Sequence, residues 1–179
     1  SIDTPNLDYI AKYGVQAKSL IPVFPSLTFP NHYSIATGCY SEDHKITGNI
    51  FFSKEFNQYY SYKNKKTVKD GKFYGCEPVW VTAEKQNLRT ATFYWIGSEA
   101  KIKGYRPSIF KEYNPKIEFK SRIDSIMKWI DAPIPNSPRL SLIYFNEPDH
   151  TAHREGPIST ETYKAVKNID DTMGYLLGE

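Results

Sequence analysis

Length, composition and charge limit what this chain of 179 residues can be. An apolar content of 40 % is enough for one globular domain with a sizeable core, and no apolar run approaches the about 18 residues of a membrane-spanning helix. The net charge of +3 is modest, and the lysines between Lys63 and Lys72 are interrupted by Asn64, Asp70 and Gly71. We therefore interpret the lysine cluster as a solvated loop and expect no nucleic-acid partner.

Helical and extended patterns alternate along the chain. The first helix is predicted over residues 4–13, with a threonine cap, a proline in the first turn and Gly14 as the stop. An extended segment over 15–24 leads into a turn at Thr28. Further predicted elements are a short helix over 31–37, a hairpin within 47–75, a helix over 79–88, a strand over 90–95, a loop over 105–115, an amphipathic helix over 119–130, a strand over 140–145 and a helix over 160–177.

This alternation predicts an α/β fold whose mainly parallel sheet is flanked by helices on both faces. Such sheets carry their chemistry beyond the carboxyl ends of the strands. Three segments follow predicted strands in that position, namely those with Thr28, with Trp95, and with Asp149 and His153. We therefore expect them to form one site at one edge of the sheet.

Thr28 lies where an apolar run gives way to a turn ahead of a short helix. A hydroxyl at a strand-to-helix junction faces the free N–H groups and the positive end of the helix dipole, which favours an anionic phosphoryl group. The alternative is that Thr28 serves only as the helix cap.

Asp149 and His153 are four residues apart, just after the last predicted strand. Carboxylate and imidazole are ligands that suit zinc, and a strand end with one following turn can aim both at one ion. The alternative is a helix cap and a surface histidine. His150 is a weaker ligand candidate, whereas His32 and His44 are expected to form local hydrogen bonds. Together with Thr28, the pair indicates phosphoryl transfer assisted by metal.

Two further residue classes leave alternatives open. Phe29, Trp95, Tyr113 and Tyr144 are by default core or rim residues, although an aromatic content of 15 % also permits a surface on which a base could stack. The two cysteines, at positions 39 and 76, have no C-x-x-C pattern and fit either one disulfide or two buried thiols.

Five segments, in order through nearly the whole chain, carry a resemblance to a known family. They are Pro25-Ser-Leu-Thr-Phe-Pro-Asn-His-Tyr with Ala-Thr-Gly38, Ile46-Thr-Gly-Asn49, Pro78-Val-Trp-Val-Thr82, Trp95-Ile-Gly-Ser98 and Glu147-Pro-Asp-x-x-x-His153. In these motifs and their spacing the chain resembles the nucleotide pyrophosphatase/phosphodiesterase family, the type I phosphodiesterases of the alkaline phosphatase superfamily. Ile96 and Ala152 stand where the family usually has proline and glycine. These two departures keep the metal ligands but leave the identity of the substrate open.

The resemblance implies roles for the catalytic and metal-binding residues. Thr28 would be the nucleophile and a ligand of one of two zinc ions. Asn49 would donate a hydrogen bond to a phosphoryl oxygen, and Asp149 and His153 would hold the other zinc ion.

It also implies a substrate pocket and an activity. Phe29 and Tyr113 would sandwich a nucleobase, with Trp95 and Tyr144 lining the pocket. The reaction would be hydrolysis of phosphodiester or pyrophosphate bonds of small-molecule nucleotides to nucleoside 5′-monophosphates, in a periplasmic or secreted protein. The polar start of the chain is not typical of a signal peptide. Alternatives are a phosphonoacetate hydrolase or phosphomonoesterase on the same scaffold, and a binding module without catalysis.

By the same resemblance, residues 1–179 form the N-terminal part of a single phosphodiesterase catalytic domain. Family members supply a further Asp from an Asp-Gly motif on a first strand, and an Asp-His pair and another His from later segments. With only Thr28, Asp149 and His153 of the two-zinc site, we expect the isolated chain to bind zinc poorly and turn over little.

Overall fold

The computed structural model describes residues 2–178, in which helices and strands alternate. In chain order the elements are α1 (Pro5–Tyr13), α2 (Thr28–Thr37), α3 (Ser41–His44), β1 (Ile50–Ser53), β2 (Gln58–Ser61), α4 (Lys65–Val68), α5 (Val79–Lys85), β3 (Thr90–Phe93), β4 (Ile109–Lys111), α6 (Phe119–Ile130), β5 (Leu140–Ile143), α7 (Asp149–Glu155) and α8 (Thr160–Gly178). The chain divides into two compact units.

The sheet unit comprises Ile21–Tyr113 and Lys128–Ile143. Its parallel sheet has the strand order β4-β3-β5, and every residue of the central strand β3 is buried. Phe93 pairs with Lys111 on one side and with Ile143 on the other, so the three strands end at the same edge. The predicted α/β class with a parallel sheet is confirmed.

Aromatic side chains form much of the core of the sheet unit. Strands β1 and β2 pair as the predicted antiparallel hairpin, and the rings of Phe51 and Tyr60 stack across it with centroids 4.9 Å apart. The buried cluster beside them includes Tyr33, Ile46, Phe73, Tyr74, Trp80 and Val81. These contacts fix the hairpin against α2 and α5, the elements that flank the candidate site.

Two sequence predictions about strands are wrong. Residues 15–24 do not form a strand, and Val15, Leu20, Ile21 and Phe24 each leave at least 81 % of their surface exposed. Apolar content alone predicted this strand, but within residues 2–178 it has no pairing partner. Conversely, the predicted loop over 105–115 contains strand β4, which exists because it pairs with β3.

A disulfide between Cys39 and Cys76 closes a separation of 37 residues. This decides between the two cysteine alternatives. Cys39 follows Gly38, which ends α2 in the left-handed conformation with φ of 70°, as the sequence predicts. The disulfide therefore ties the end of α2 to the segment that leads into α5.

The helical unit comprises the residues up to Leu20, Asn114–Met127 and the residues from Tyr144 onward. Helices α1 and α8 pack through Asp170, whose buried carboxylate accepts hydrogen bonds from the backbone N–H groups of Asn6 and Leu7 at 3.0 and 2.9 Å. Asp170 thus satisfies N–H groups that the start of α1 leaves unpaired. Within residues 2–178, no helix combines the length and the apolar character needed to cross a membrane.

Candidate active site

Thr28 is the first residue of α2, and its side chain is partly buried. The N-cap is Leu27, which makes no side-chain cap hydrogen bond, so the interpretation of Thr28 as the cap is wrong. Among residues 2–178, no group forms a hydrogen bond with the hydroxyl of Thr28. The hydroxyl therefore lies at a helix N-terminus with its lone pairs and proton available to a ligand.

Asn31 holds the loop that leads into Thr28. Its Oδ1 accepts a hydrogen bond from the N–H of Val23 at 2.8 Å, and its Nδ2 donates to the carbonyls of Pro25 and Leu27 at 3.1 and 2.9 Å. Sequence reasoning missed this role. The available signal was an asparagine inside the first turn of a helix that follows a proline-containing loop.

Asn49 lies beside the start of α2. Its Oδ1 accepts the N–H of Phe29 at 3.0 Å, and its own carbonyl accepts the N–H of Tyr62 at 3.0 Å, just after β2. Because Phe29 supplies a donor, the amide must turn its oxygen toward α2. No acceptor within residues 2–178 bonds to Nδ2, so its two N–H groups can donate to a bound anion.

Trp95 connects the carboxyl end of β3 to α2. Its Nε1–H donates to the carbonyl of His32 at 3.1 Å, and the two rings pack edge to face at 5.6 Å. His32 in turn donates from Nδ1 to the carbonyl of Thr28 at 2.8 Å. The predicted local hydrogen bonding of His32 is confirmed, and through it Trp95 supports the turn of helix that carries Thr28.

Two aromatic residues, Tyr94 and Trp95, follow β3 and pack in different places. Tyr94 has a positive φ of 71°, a left-handed conformation that is rare for a bulky residue. Its ring packs edge to face on Tyr113 at 5.3 Å, while the next residue, Trp95, packs on α2. One short segment therefore supports both Tyr113 and the start of α2.

Phe29 and Tyr113, the predicted base-stacking residues, have different surroundings. The ring of Phe29 lies 6.1 Å from that of Tyr60 and 5.9 Å from that of Tyr62. Tyr113 is 45 % exposed, and its backbone N–H donates to Glu99 Oε1 at 2.9 Å. Both rings have exposed surface and anchored backbones, but stacking on a base stays a prediction.

His44 is fully buried next to α2 and is not a ligand candidate. Its Nδ1 accepts the N–H of Ile46 at 3.2 Å, so Nε2 carries the proton that is donated to Ser34 Oγ at 2.9 Å. Burial holds the pKa of His44 below its usual value, which keeps the ring neutral. The predicted local hydrogen bonding is confirmed.

Asp149 and His153 form a separate pair in the helical unit. Asp149 is the first residue of α7 after the N-cap Pro148 and makes no cap hydrogen bond, so the cap alternative is wrong. Its Oδ1 lies 3.4 Å from His153 Nε2, and the two side chains are 72 % and 80 % exposed. A helix, instead of the predicted turn, aligns them at positions i and i+4.

The spacing of this pair fits two ligands of one zinc ion. Zinc bonds of about 2.0–2.1 Å at a tetrahedral angle place two ligand atoms about 3.3 Å apart. Within residues 2–178, no group of three or more His, Cys, Asp or Glu side chains could hold a metal ion, and His150 completes no such group. The pair therefore has the spacing of two zinc ligands, and zinc binding by it stays a prediction.

Tyr144 lies at the start of the segment between β5 and α7. Its carbonyl accepts a hydrogen bond from Arg122 at 2.9 Å, and its side chain is partly buried. A pocket-lining role for its ring stays a prediction.

Comparisons with known proteins are consistent with one family. Residues 2–179 match the type I phosphodiesterase / nucleotide pyrophosphatase family. The chain is 40 % identical over 173 residues to venom phosphodiesterase 2 of Crotalus adamanteus, covering 97 % of this chain and 21 % of that protein. It is 39 % identical over the same length to human ectonucleotide pyrophosphatase/phosphodiesterase family member 1, covering 97 % and 19 %.

Solved structures of related proteins match this chain over nearly its whole length. Murine ectonucleotide pyrophosphatase/phosphodiesterase 5 superposes with a TM-score of 0.93 at 31 % identity, covering 99 % of this chain and 47 % of that one. An inactive threonine-to-alanine variant of the murine protein in complex with AMP superposes equally well, with a TM-score of 0.93 at 30 % identity. The chain thus spans about a fifth of the curated relatives and about half of these solved chains.

Proposed function

Because this chain belongs to the type I phosphodiesterase / nucleotide pyrophosphatase family, we propose that the intact protein hydrolyses phosphodiester or pyrophosphate bonds of nucleotides. The products would be nucleoside 5′-monophosphates. The observation that carries this proposal is Thr28 at the start of α2, beside an Asn49 amide whose Nδ2 faces no acceptor in the described chain. The relatives' names, and the AMP bound to an inactive threonine variant of the murine protein, support it.

Thr28 is the nucleophile in this proposal. Its hydroxyl loses its proton to solvent as the oxygen attacks phosphorus in line, forming a Thr28–O–P bond while the bond to the leaving oxygen breaks. Water then cleaves the Thr28–O–P bond and releases the 5′-monophosphate. The hydrogen bonds from Asn31 to the preceding loop and from His32 to the Thr28 carbonyl hold the nucleophile in place.

Asn49 and the first turn of α2 act on the equatorial phosphoryl oxygens. The N–H of Phe29 orients the Asn49 amide before substrate arrives, so Nδ2 needs no reorganisation in order to donate. Preorganised donors of this kind stabilise charge that grows in the transition state. The positive end of the α2 dipole adds to this effect.

Two zinc ions are the proposed cofactors. Thr28 would bind one, and Asp149 and His153 would bind the other, consistent with the 3.4 Å between their ligand atoms. When bound, such ions act as Lewis acids that favour the ionised form of a hydroxyl and offset charge on a leaving oxygen. The remaining ligands would come from outside these residues.

Phe29, Tyr113, Trp95 and Tyr144 are the proposed substrate-binding residues. A base stacked between the rings of Phe29 and Tyr113 would select nucleotides over phosphate esters that lack a base. The exposed surface of Tyr113 and its anchored backbone support this role, because a ring held in place loses little entropy on binding.

An extracellular or other oxidising compartment is the proposed location. The disulfide between Cys39 and Cys76 favours it, since disulfides persist in oxidising compartments. The venom and ectoenzyme names of the relatives agree with this location.

Replacement of Thr28 tests the proposal. In the intact protein, Thr28→Ala should abolish turnover of p-nitrophenyl thymidine 5′-monophosphate at unchanged stability, because the hydroxyl makes no hydrogen bond within the described chain. Thr37→Ala is the matched control on the same helix, since its hydroxyl donates to the carbonyl of Tyr33 at 2.8 Å. Wild-type rates for Thr28→Ala would exclude the proposed nucleophile. A higher kcat/KM for phosphonoacetate or p-nitrophenyl phosphate would favour the other phosphohydrolase activities.

A further inference from the structure

A fully buried arginine anchors the segment between β5 and α7. Arg122, on α6, donates from Nη1 to the carbonyl of Tyr144 at 2.9 Å and from Nη2 to Asn146 Oδ1 at 3.4 Å. Its Nε–H donates to the carbonyl of Ile117 at 3.0 Å. The guanidinium thus donates hydrogen bonds to both ends of the Tyr144–Asn146 segment.

Aromatic rings fix the plane of this guanidinium. Its central carbon lies 4.7 Å from the ring centroid of Phe119 and 5.9 Å from that of Phe145. A planar, forked donor can stack on rings and still direct N–H groups along several directions, whereas the ammonium of lysine cannot. The position therefore requires the shape of arginine as well as its charge.

The anchored segment in turn starts α7. The carbonyl of Asn146 accepts the N–H of His150 at 3.0 Å, and Glu147 Oε2 accepts the N–H of Thr151 at 3.0 Å. These bonds pair two of the N–H groups that the first turn of α7 would otherwise leave free. The segment held by Arg122 therefore sets where α7 begins and where its first residue, Asp149, lies.

A cavity borders the segment that Arg122 anchors. A cavity of about 500 Å³ is lined by Asn146 and Glu147 and by residues 115–120 of the α6 start. Asn146 and Glu147 line this cavity, so packing surrounds the end of the segment only in part. The hydrogen bonds from Arg122 therefore add support where packing is incomplete.

We propose that Arg122 is a positioning residue for Asp149 and His153, the candidate zinc ligands. It fixes the Tyr144–Asn146 segment, which fixes the start of α7 and hence the ligand pair, whose ligand atoms lie 3.4 Å apart. This inference rests on the proposed function, because it assigns Arg122 to the zinc ion that this pair would bind. Groups that orient metal ligands typically contribute about 10- to 100-fold to metal affinity.

Zinc affinity of the intact protein tests this role, measured by competition with a chromogenic chelator and by the visible spectrum after cobalt substitution. Arg122→Lys keeps the positive charge and loses the fork, and Arg122→Met loses both. Each variant should lower the affinity for one of the two zinc ions roughly tenfold or more and change the cobalt spectrum. Asp149→Ala serves as the reference for loss of a ligand.

Asp170→Ala is the control for general destabilisation. It removes the hydrogen bonds between Asp170 and the N–H groups of Asn6 and Leu7. These lie in the same unit but outside the Tyr144–Asn146 segment. It should lower the melting temperature and leave both zinc affinities and the cobalt spectrum unchanged. Wild-type zinc affinity in Arg122→Lys, with a lowered melting temperature only, would overturn the positioning role. Wild-type zinc affinity in Asp149→Ala would overturn both this inference and the proposed metal ligands.

Discussion

Replacing Asn49 by aspartate separates the two roles that we assign to one side chain. In the structure, Oδ1 of Asn49 accepts the N–H of Phe29 at 3.0 Å, which leaves Nδ2 as the donor for a phosphoryl oxygen. Asn49→Asp keeps the shape and the acceptor and replaces that donor by a second carboxylate oxygen. Asn49→Ala removes both the acceptor and the donor.

The two variants should therefore rank differently in activity and in stability. Loss of one oxyanion donor raises the barrier by about 2.7–4 kcal/mol, or about 10²–10³ in kcat. The new charge in Asn49→Asp adds repulsion of the anionic phosphoryl group, so this variant should be the slower one. The free energy of unfolding of Asn49→Asp should not fall, because a carboxylate at a helix N-terminus stabilises the helix by about 0.3–1 kcal/mol. Asn49→Ala leaves the N–H of Phe29 unpaired, which costs about 1 kcal/mol.

The assay is steady-state hydrolysis of p-nitrophenyl thymidine 5′-monophosphate by the intact protein, with urea unfolding of the same samples. Asn64→Asp is the matched control, because Asn64 Oδ1 accepts the N–H of Lys66 at the start of α4 in the same way. This control should keep wild-type kcat. A kcat for Asn49→Asp equal to that of Asn64→Asp would refute the assignment of Nδ2 as a donor.

Three further changes probe the base site, the α1–α8 contact and the disulfide. Tyr113→Ala should lower kcat/KM for nucleotide diesters about ten- to a hundredfold, while p-nitrophenyl esters without a base change little; equal losses would mean that Tyr113 only packs its loop. Burial raises the pKa of Asp170, but hydrogen bonds from Leu7, Asn6 and Lys167 outweigh this and hold it below its usual value. The stability that Asp170 adds over Asp170→Ala should therefore be full above about pH 4 and fade as pH falls through the lowered pKa, and a pH-independent difference would contradict this. The double variant Cys39→Ser, Cys76→Ser should reduce the free energy of unfolding by about 2–4 kcal/mol, since the disulfide closes a separation of 37 residues. An unchanged free energy of unfolding would mean that the disulfide does not form.

Elements with strong local signals were predictable from the sequence. Helix α1 has Pro5 in its first turn and Gly14 at its end, and α6 has an apolar face with period 3.6, so both match their predicted ranges closely. The sequence predicted Thr28 in a turn just ahead of a helix over 31–37, whereas α2 begins at Thr28 itself. The N-cap is Leu27, so Thr28 does not cap α2, and its hydroxyl makes no hydrogen bond within residues 2–178.

Features that depend on distant partners were not predictable in the same way. Strand β4 is three residues long and exists through its pairing with β3, while the apolar segment over 15–24 lacks such a partner within residues 2–178. The orientation of the Asn49 amide depends on Phe29, twenty residues earlier in the chain. The convergence of Thr28 with Asp149 and His153 on one site stays a prediction from the sequence.

As the proposed nucleophile, Thr28 must form a covalent bond to phosphorus during turnover. Rapid acid quenching of the intact protein with p-nitrophenyl thymidine 5′-monophosphate, followed by peptide mass spectrometry, tests it most directly. We expect a thymidylyl group on the peptide that contains Thr28 in the wild-type protein and in Thr37→Ala, and none in Thr28→Ala. A thymidylyl group on another residue, or its persistence in Thr28→Ala, would exclude Thr28 as the nucleophile.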